Sequence, residues 1–179
     1  MLPGCTACGL LLVSDVSNST LIVPPDSSAQ PRVARSELED AYAAAQQRVH
    51  QLQHHPEGWG YAGCAVECIE THISWLLLVG GHVYKFKKPL ALDFLDFSTA
   101  ALRLAACQEE LRINRRTAPH MYLDVVGVEG DGSEARPWRV KPWAAGDAAG
   151  AEPAVLMRRF DRQALLSRRL EAGCVADED

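Results

Sequence analysis

Apolar residues recur along the chain at two spacings, and these spacings divide it into helices and strands. Over residues 36–52 they return every three or four positions, which predicts an amphipathic helix. Ser36 and Glu39 have the spacing of a capping box, in which each side chain satisfies a free amide at the helix start. A second helix is predicted over 98–116 with Ser98 as its N-cap, and a third over 162–171.

Short runs rich in β-branched and aromatic residues predict strands over 65–69, 75–79, 83–87, 122–128, 138–141 and 154–157. Gly80 and Gly81 form a two-residue hairpin connection, because glycine tolerates the positive φ that such turns require. The resulting order predicts an α+β fold. We expect an antiparallel sheet of about five strands with one helix packed on it, and an additional N-terminal helix over 36–56.

Composition narrows the class of protein. The chain has 179 residues, 47% of them hydrophobic, and a formal net charge of −5. A net negative charge argues against a general nucleic-acid binder. No apolar stretch has the length of a membrane span and no signal-peptide pattern is present, so we expect a cytoplasmic protein with no membrane association. Residues 1–35 are rich in serine, proline and small residues, which predicts a flexible leader.

Six cysteines raise the question of a metal site. Cys5 with Cys8, and Cys64 with Cys68, have spacings that a four-thiolate zinc site uses. The alternative is that the thiols are free and pack as small hydrophobic groups. We favour the second interpretation and predict no metal ligands.

Three lysines follow the predicted hairpin. Lys85 is central in the returning strand, and Val83 and Lys87 share its face because side chains alternate along a strand. Lys88 is expected to point away. Taken alone, the residues favour a set of charges that protect an edge strand from aggregation, and the alternative is that Lys85 binds phosphates.

A lysine that binds phosphate needs a carboxylate to orient it. Glu109 and Glu110 on the following helix are the candidates. Residues 104, 107 and 111 form one apolar stripe of that helix and 102, 106 and 113 another, and Glu110 lies between them. We therefore favour Glu110. The alternative is that both acids pair locally with arginines at helical spacing.

Other polar residues lie close to these elements. Thr71 and Ser74, in the turn before the hairpin, can donate to phosphate oxygens or can satisfy the turn backbone. Asp93 and Asp96 have the residue type of a metal pair, but capping of the next helix is the favoured interpretation.

The segments THISW, VYKFKKP, FLDFST, EELRINRR, AP-x-x-YL and MRRF together resemble the uncharacterised aminoglycoside-phosphotransferase-like proteins of bacteria. The resemblance extends over about residues 60–170. It implies a protein-kinase-like small lobe over 60–160 and the start of a truncated large lobe over 161–179, with an acidic tail. It also implies that the cofactor is ATP with Mg²⁺.

Carried over by position, Lys85 resembles the nucleotide lysine of that family, and Glu110 or Glu109 its partner. Val83 resembles the apolar residue above the adenine. Leu156 and Met157 resemble the hinge that contacts the adenine.

The family's large lobe supplies a catalytic loop and a metal-binding aspartate, and only EAGCVADED follows Leu170. We therefore expect a small-lobe fragment of an ATP-dependent small-molecule kinase that has no catalytic residues of its own. Its expected partner is a separate large lobe or a second copy of the chain. An exposed strand over 154–160 would favour such association. The alternatives are a non-catalytic nucleotide- or partner-binding module and a defective gene product.

Overall fold

A six-stranded antiparallel sheet lies between two helices in the computed structural model, which describes residues 33–144 and 150–160. The α+β fold predicted from the order of elements is confirmed, with one strand more than expected. This arrangement is compatible with a small lobe of the implied kind. The greater part of the predicted leader, the third helix and the acidic tail lie outside the described residues.

The elements follow in this order: α1 (Arg35–His54), a 3₁₀ turn (Pro56–Trp59), β1 (Val66–Glu70), β2 (Ser74–Val79), β3 (His82–Lys87), β4 (Ala91–Leu92), β5 (Leu95–Asp96), α2 (Ala100–Asn114), β6 (Tyr122–Glu129), β7 (Arg139–Pro142) and β8 (Glu152–Arg158). The sheet has the order β1-β2-β3-β8-β6-β7, and β4 pairs with β5 in a separate ribbon. None of the described helices combines the length and the hydrophobicity needed to cross a membrane.

The predicted β2–β3 hairpin is confirmed. Val79 pairs with His82 across Gly80 and Gly81, and Gly80 has a φ of 53°. Strand β8 is central, since it pairs with β3 on one side and β6 on the other. The expectation of an exposed strand over 154–160 is therefore wrong, because both edges of β8 are hydrogen-bonded over most of that range.

Each face of the sheet has its own core, as the alternation of side chains requires. Helix α1 and the 3₁₀ turn cover one face, where Leu52 and Trp59 pack with Trp75 and Phe86. Helix α2 covers the other, where Cys107 packs among four core residues: Val83, Val125, Val155 and Met157. The site described below lies on the α2 face.

Both predicted helix starts are wrong by one or two residues. Helix α1 begins after Ala34, and Glu39 pairs with Arg35 instead of closing a capping box with Ser36. Helix α2 begins after Thr99, whose hydroxyl accepts a hydrogen bond from the amide of Leu102 at 3.2 Å. At α2 both Ser98 and Thr99 suit a cap, so spacing alone does not select one. The N-cap of α1, Ala34, has no capping side chain, and its amide donates to Glu37 instead.

The second apolar stripe predicted on α2 is wrong for Ile113, while its other members, Leu102 and Ala106, are half-buried. Leu104, Cys107 and Leu111 pack against the sheet, whereas Ile113 is 47% exposed. A helix that lies on one side of a sheet buries a single stripe. Asp96 accepts the amide of Ser98 at 2.9 Å, which secures the chain just before α2.

Candidate functional site

One carboxylate and two lysines form the polar cluster under α2. Lys85 Nζ donates to Glu110 Oε1 at 2.8 Å, and Lys87 Nζ donates to Glu110 Oε2. The side chain of Lys85 is 25% exposed, that of Lys87 6% and that of Glu110 12%. Each oxygen of Glu110 thus has its own ammonium group, and the cluster carries one positive charge in excess.

The two lysines set the ionisation of Glu110. Burial alone would raise the pKa of this carboxyl group, but the charges and hydrogen bonds of Lys85 and Lys87 together outweigh it, so the pKa lies below its ordinary value. Glu110 is therefore ionised at neutral pH, which a stable contact with ammonium groups requires.

The position of β3 decides between the interpretations of the lysines. Since β3 lies between β2 and β8, Lys85 and Lys87 are not edge-strand charges. Lys88 points to the opposite face, as predicted. It donates to Glu70 at 2.6 Å, and its ammonium lies 5.1 Å from the centre of the Trp75 ring.

The structure also separates the two candidate acids on α2. Glu109 is turned to solvent, where it accepts two hydrogen bonds from Arg112 at 2.6 and 2.7 Å. Local pairing with an arginine at helical spacing, the alternative considered for both acids, is therefore what Glu109 makes. Glu110, one position later, faces the sheet and meets Lys85.

The apolar residues proposed to contact adenine fall on both faces of the sheet. Val83 and Met157 pair across β3 and β8, and both belong to the buried core under α2. Leu156 instead packs against the core on the α1 face. Only Val83 and Met157 therefore share the face of Lys85, and contact of any of the three with adenine stays a prediction.

Thr71 and Ser74 have different environments. The Thr71 hydroxyl donates to the Ser74 carbonyl and accepts the Ser74 amide, both at 3.0 Å, so it satisfies the turn backbone. Ser74 is fully buried, and its Oγ has no hydrogen-bond partner. Ser74 pairs with Lys87 across β2 and β3, which places both side chains on the α2 face.

A buried ion network that the sequence analysis missed holds α2 in place. Arg103 donates to the two oxygens of Glu152 at 2.6 and 2.8 Å, and to the carbonyls of Phe97 and Ser98 at 3.0 and 3.3 Å. Arg48 from α1 reaches the same carboxylate at 3.2 Å.

Burial lowers the pKa of Arg48, against the opposing effect of Glu152. Glu152 on β8 thus connects both helices to the sheet. The sequence contained a signal for this network, because Arg103 lies four positions before Cys107 and therefore in the buried stripe of α2.

A separate groove lies between α2 and β6. Its volume is about 500 Å³, and it is lined by Gln108, Leu111, Arg112, Arg115, Asp124, Val125 and Trp143. Arg115 donates to the carbonyls of Tyr122 and Leu123 there. The groove is open and lies on the opposite side of the helix from Glu110.

The cysteines that the structure describes are free. Cys64 and Cys68 both pack against the core under α1, and Cys107 is fully buried. Burial raises the pKa of the Cys107 thiol to about 12, so it stays protonated. Within residues 33–144 and 150–160 no three side chains are placed to hold a metal ion, whereas Cys5 and Cys8 lie outside this part.

Comparison with known proteins gives three mycobacterial relatives. They are Uncharacterized protein Mb2027c of Mycobacterium bovis, and Uncharacterized proteins MT2060 and Rv2004c of two Mycobacterium tuberculosis strains. Each is 35% identical to this chain over 105 residues. The match covers 57% of this chain, and the chain spans only 18% of the length of each relative. No family profile and no solved structure matches significantly.

Proposed function

We propose that this chain is the nucleotide-binding small lobe of an ATP-dependent small-molecule kinase, and that it is not catalytic by itself. Lys85 binds the phosphates of Mg²⁺-ATP, and Glu110 orients Lys85. The observation that supports this proposal is the ion pair between Lys85 on a central strand and Glu110 on the packed helix. Protein kinases use a lysine and a glutamate on the corresponding elements for the same purpose.

The burial of the pair suits phosphate binding. Glu110 is largely enclosed, so its hydrogen bond with Lys85 is not weakened by water as a surface pair would be. Lys85 remains one quarter exposed, which lets its ammonium approach a ligand. The excess positive charge of the cluster attracts a polyphosphate.

The apolar part of the nucleotide site is proposed at Val83 and Met157. Val83 lies two residues before Lys85 on β3, and Met157 on β8 pairs with Val83, so both share the face of Lys85. The described residues offer a cation for the phosphates but no cluster of acids for Mg²⁺, so the metal would arrive bound to ATP. The catalytic acids would come from a separate large lobe. The greater length of the mycobacterial relatives supports the existence of further segments in such proteins.

Three free thiols and the use of ATP fit a cytoplasmic location.

A second candidate function is a partner-binding module without catalysis. Phe94 and Leu92, on the β4–β5 ribbon, are 75% and 43% exposed. Adjacent exposed apolar side chains are typical of contact surfaces. A separate large lobe or a second copy of the chain would be the partner.

Thermal unfolding of the purified chain with and without Mg²⁺-ATP tests the first function. A ligand that binds only the folded state stabilises it, by about 2.7 kcal/mol at a concentration one hundred times its Kd. We expect a higher Tm for the wild type and for Lys88→Met, and no shift for Lys85→Met. Lys88→Met is the matched control, since it removes the same charge on the opposite face of the sheet. A cooperative transition that ATP does not move in the wild type would refute nucleotide binding and leave the partner-binding module.

A further inference from the structure

We propose that Lys87 is a positioning residue that keeps Glu110 paired when Lys85 moves to an anionic ligand. This inference rests on the proposed function only in taking Lys85 as the lysine that contacts phosphate. Lys87 itself does not touch the ligand. Its role is to lower the free-energy cost of releasing Lys85 from Glu110.

Burial assigns different roles to the two lysines. Lys87 is only 6% exposed and its ammonium lies 5.5 Å from the centre of the Phe97 ring, while Ser74 is its neighbour across the strands. It cannot reach a ligand that approaches from solvent. Lys85, at 25% exposed, is the member of the cluster that can.

The charges explain why a second lysine matters. In a pair of Lys85 and Glu110 alone, movement of Lys85 would leave a buried carboxylate without a counter-ion, which is strongly unfavourable. In this chain Lys87 remains hydrogen-bonded to the second oxygen of Glu110. With Lys87 the cluster keeps one excess positive charge, and without it Lys85 and Glu110 neutralise each other.

Substitution tests this assignment with Mg²⁺-ATP and inorganic tripolyphosphate as probes in titration calorimetry. We expect Lys87→Met to weaken both by at least about tenfold, and Lys88→Met to leave both within about twofold of the wild type. Lys87→Met combined with Glu110→Gln should bind both probes more tightly than Lys87→Met alone, because Lys85 then leaves no unpaired buried carboxylate behind, and this gain exceeds the loss of the orienting contact with Glu110. A merely structural role predicts the reverse, since the double variant loses more contacts. Wild-type affinity in Lys87→Met, or a double variant weaker than Lys87→Met, would overturn the inference. Each variant must unfold cooperatively in urea, which shows that it is folded in the binding assay.

A second measurement needs no nucleotide. The rate at which an amine-acylating reagent labels Lys85, followed by peptide mass spectrometry, reports how often this side chain leaves Glu110. We expect slower labelling of Lys85 in Lys87→Met and an unchanged rate in Lys88→Met. Slower labelling in a chain that does not bind ATP would refute the proposed function and leave the role of Lys87 standing. Unchanged labelling in a chain that binds ATP would refute the role of Lys87 and leave the proposed function standing.

Discussion

Replacement of Arg103 by methionine should destabilise the fold, because it breaks the buried ion network that holds α2. Arg103 and Glu152 are both buried and share two hydrogen bonds of 2.6 and 2.8 Å. Removal of one partner from such a pair costs about 3–5 kcal/mol, because a charge is left buried. Arg48 still contacts Glu152 at 3.2 Å, so we expect the lower end, about 3 kcal/mol. This is a large part of the about 5–15 kcal/mol that stabilises a domain.

Urea unfolding followed by circular dichroism measures this change, provided that the m-value stays constant. The variants are Arg103→Met, Glu152→Gln and the combination of the two, which gives a coupling free energy expected to exceed about 1.5 kcal/mol. Arg112→Met is the matched control. It also removes an arginine of α2 that pairs with a glutamate, but Arg112 and Glu109 are 64% and 53% exposed, so its effect on stability should be small.

The reasoning is refuted if Arg103→Met costs no more than Arg112→Met. Such a result would mean that the Arg103–Glu152 pair is solvated and does not anchor the start of α2. The position of Glu110, seven residues further along the same helix, would then depend on the apolar contacts of α2 alone.

Three further substitutions test other parts of the structure by the same urea assay. Because the pKa of Glu110 in the folded chain lies below its ordinary value of 4.5, its carboxylate stabilises the fold above that pH and loses this effect as pH falls through the folded pKa. Glu110→Gln should therefore reduce the acid sensitivity of the chain, and an unaltered pH profile would contradict this. Ser74→Ala removes a buried hydroxyl without a partner, so stability should stay equal or rise by up to about 1 kcal/mol, whereas a clear loss would show that Ser74 Oγ is bonded. Gly130 has a φ of +111°, and an added Cβ would lie 2.5 Å from the Pro137 carbonyl oxygen, so Gly130→Ala should cost about 1–3 kcal/mol. Gly58→Ala, where nothing lies within 4 Å, is its control and should change little; equal effects of the two would argue against this account of Gly130.

The local elements were predictable because they depend on neighbouring residues. Alternation along β3 placed Lys85 and Lys87 on one face, and its continuation by one residue placed Lys88 on the other. Two glycines fixed the hairpin between β2 and β3, since few other residues adopt its backbone angles. The fold class followed from the order of these elements.

Contacts between distant residues were decided only by the tertiary structure. Glu110 and Lys85 are 25 positions apart, and Arg103 and Glu152 are 49 apart. The choice of Glu110 over Glu109 depends on the rotation of α2 about its axis, which the packing of Cys107 against the sheet sets. The central place of β8 likewise comes from pairing with β3 and β6. Local spacing carries no information about which strand or helix becomes a neighbour, because that choice is made by burial of apolar surface over the whole domain.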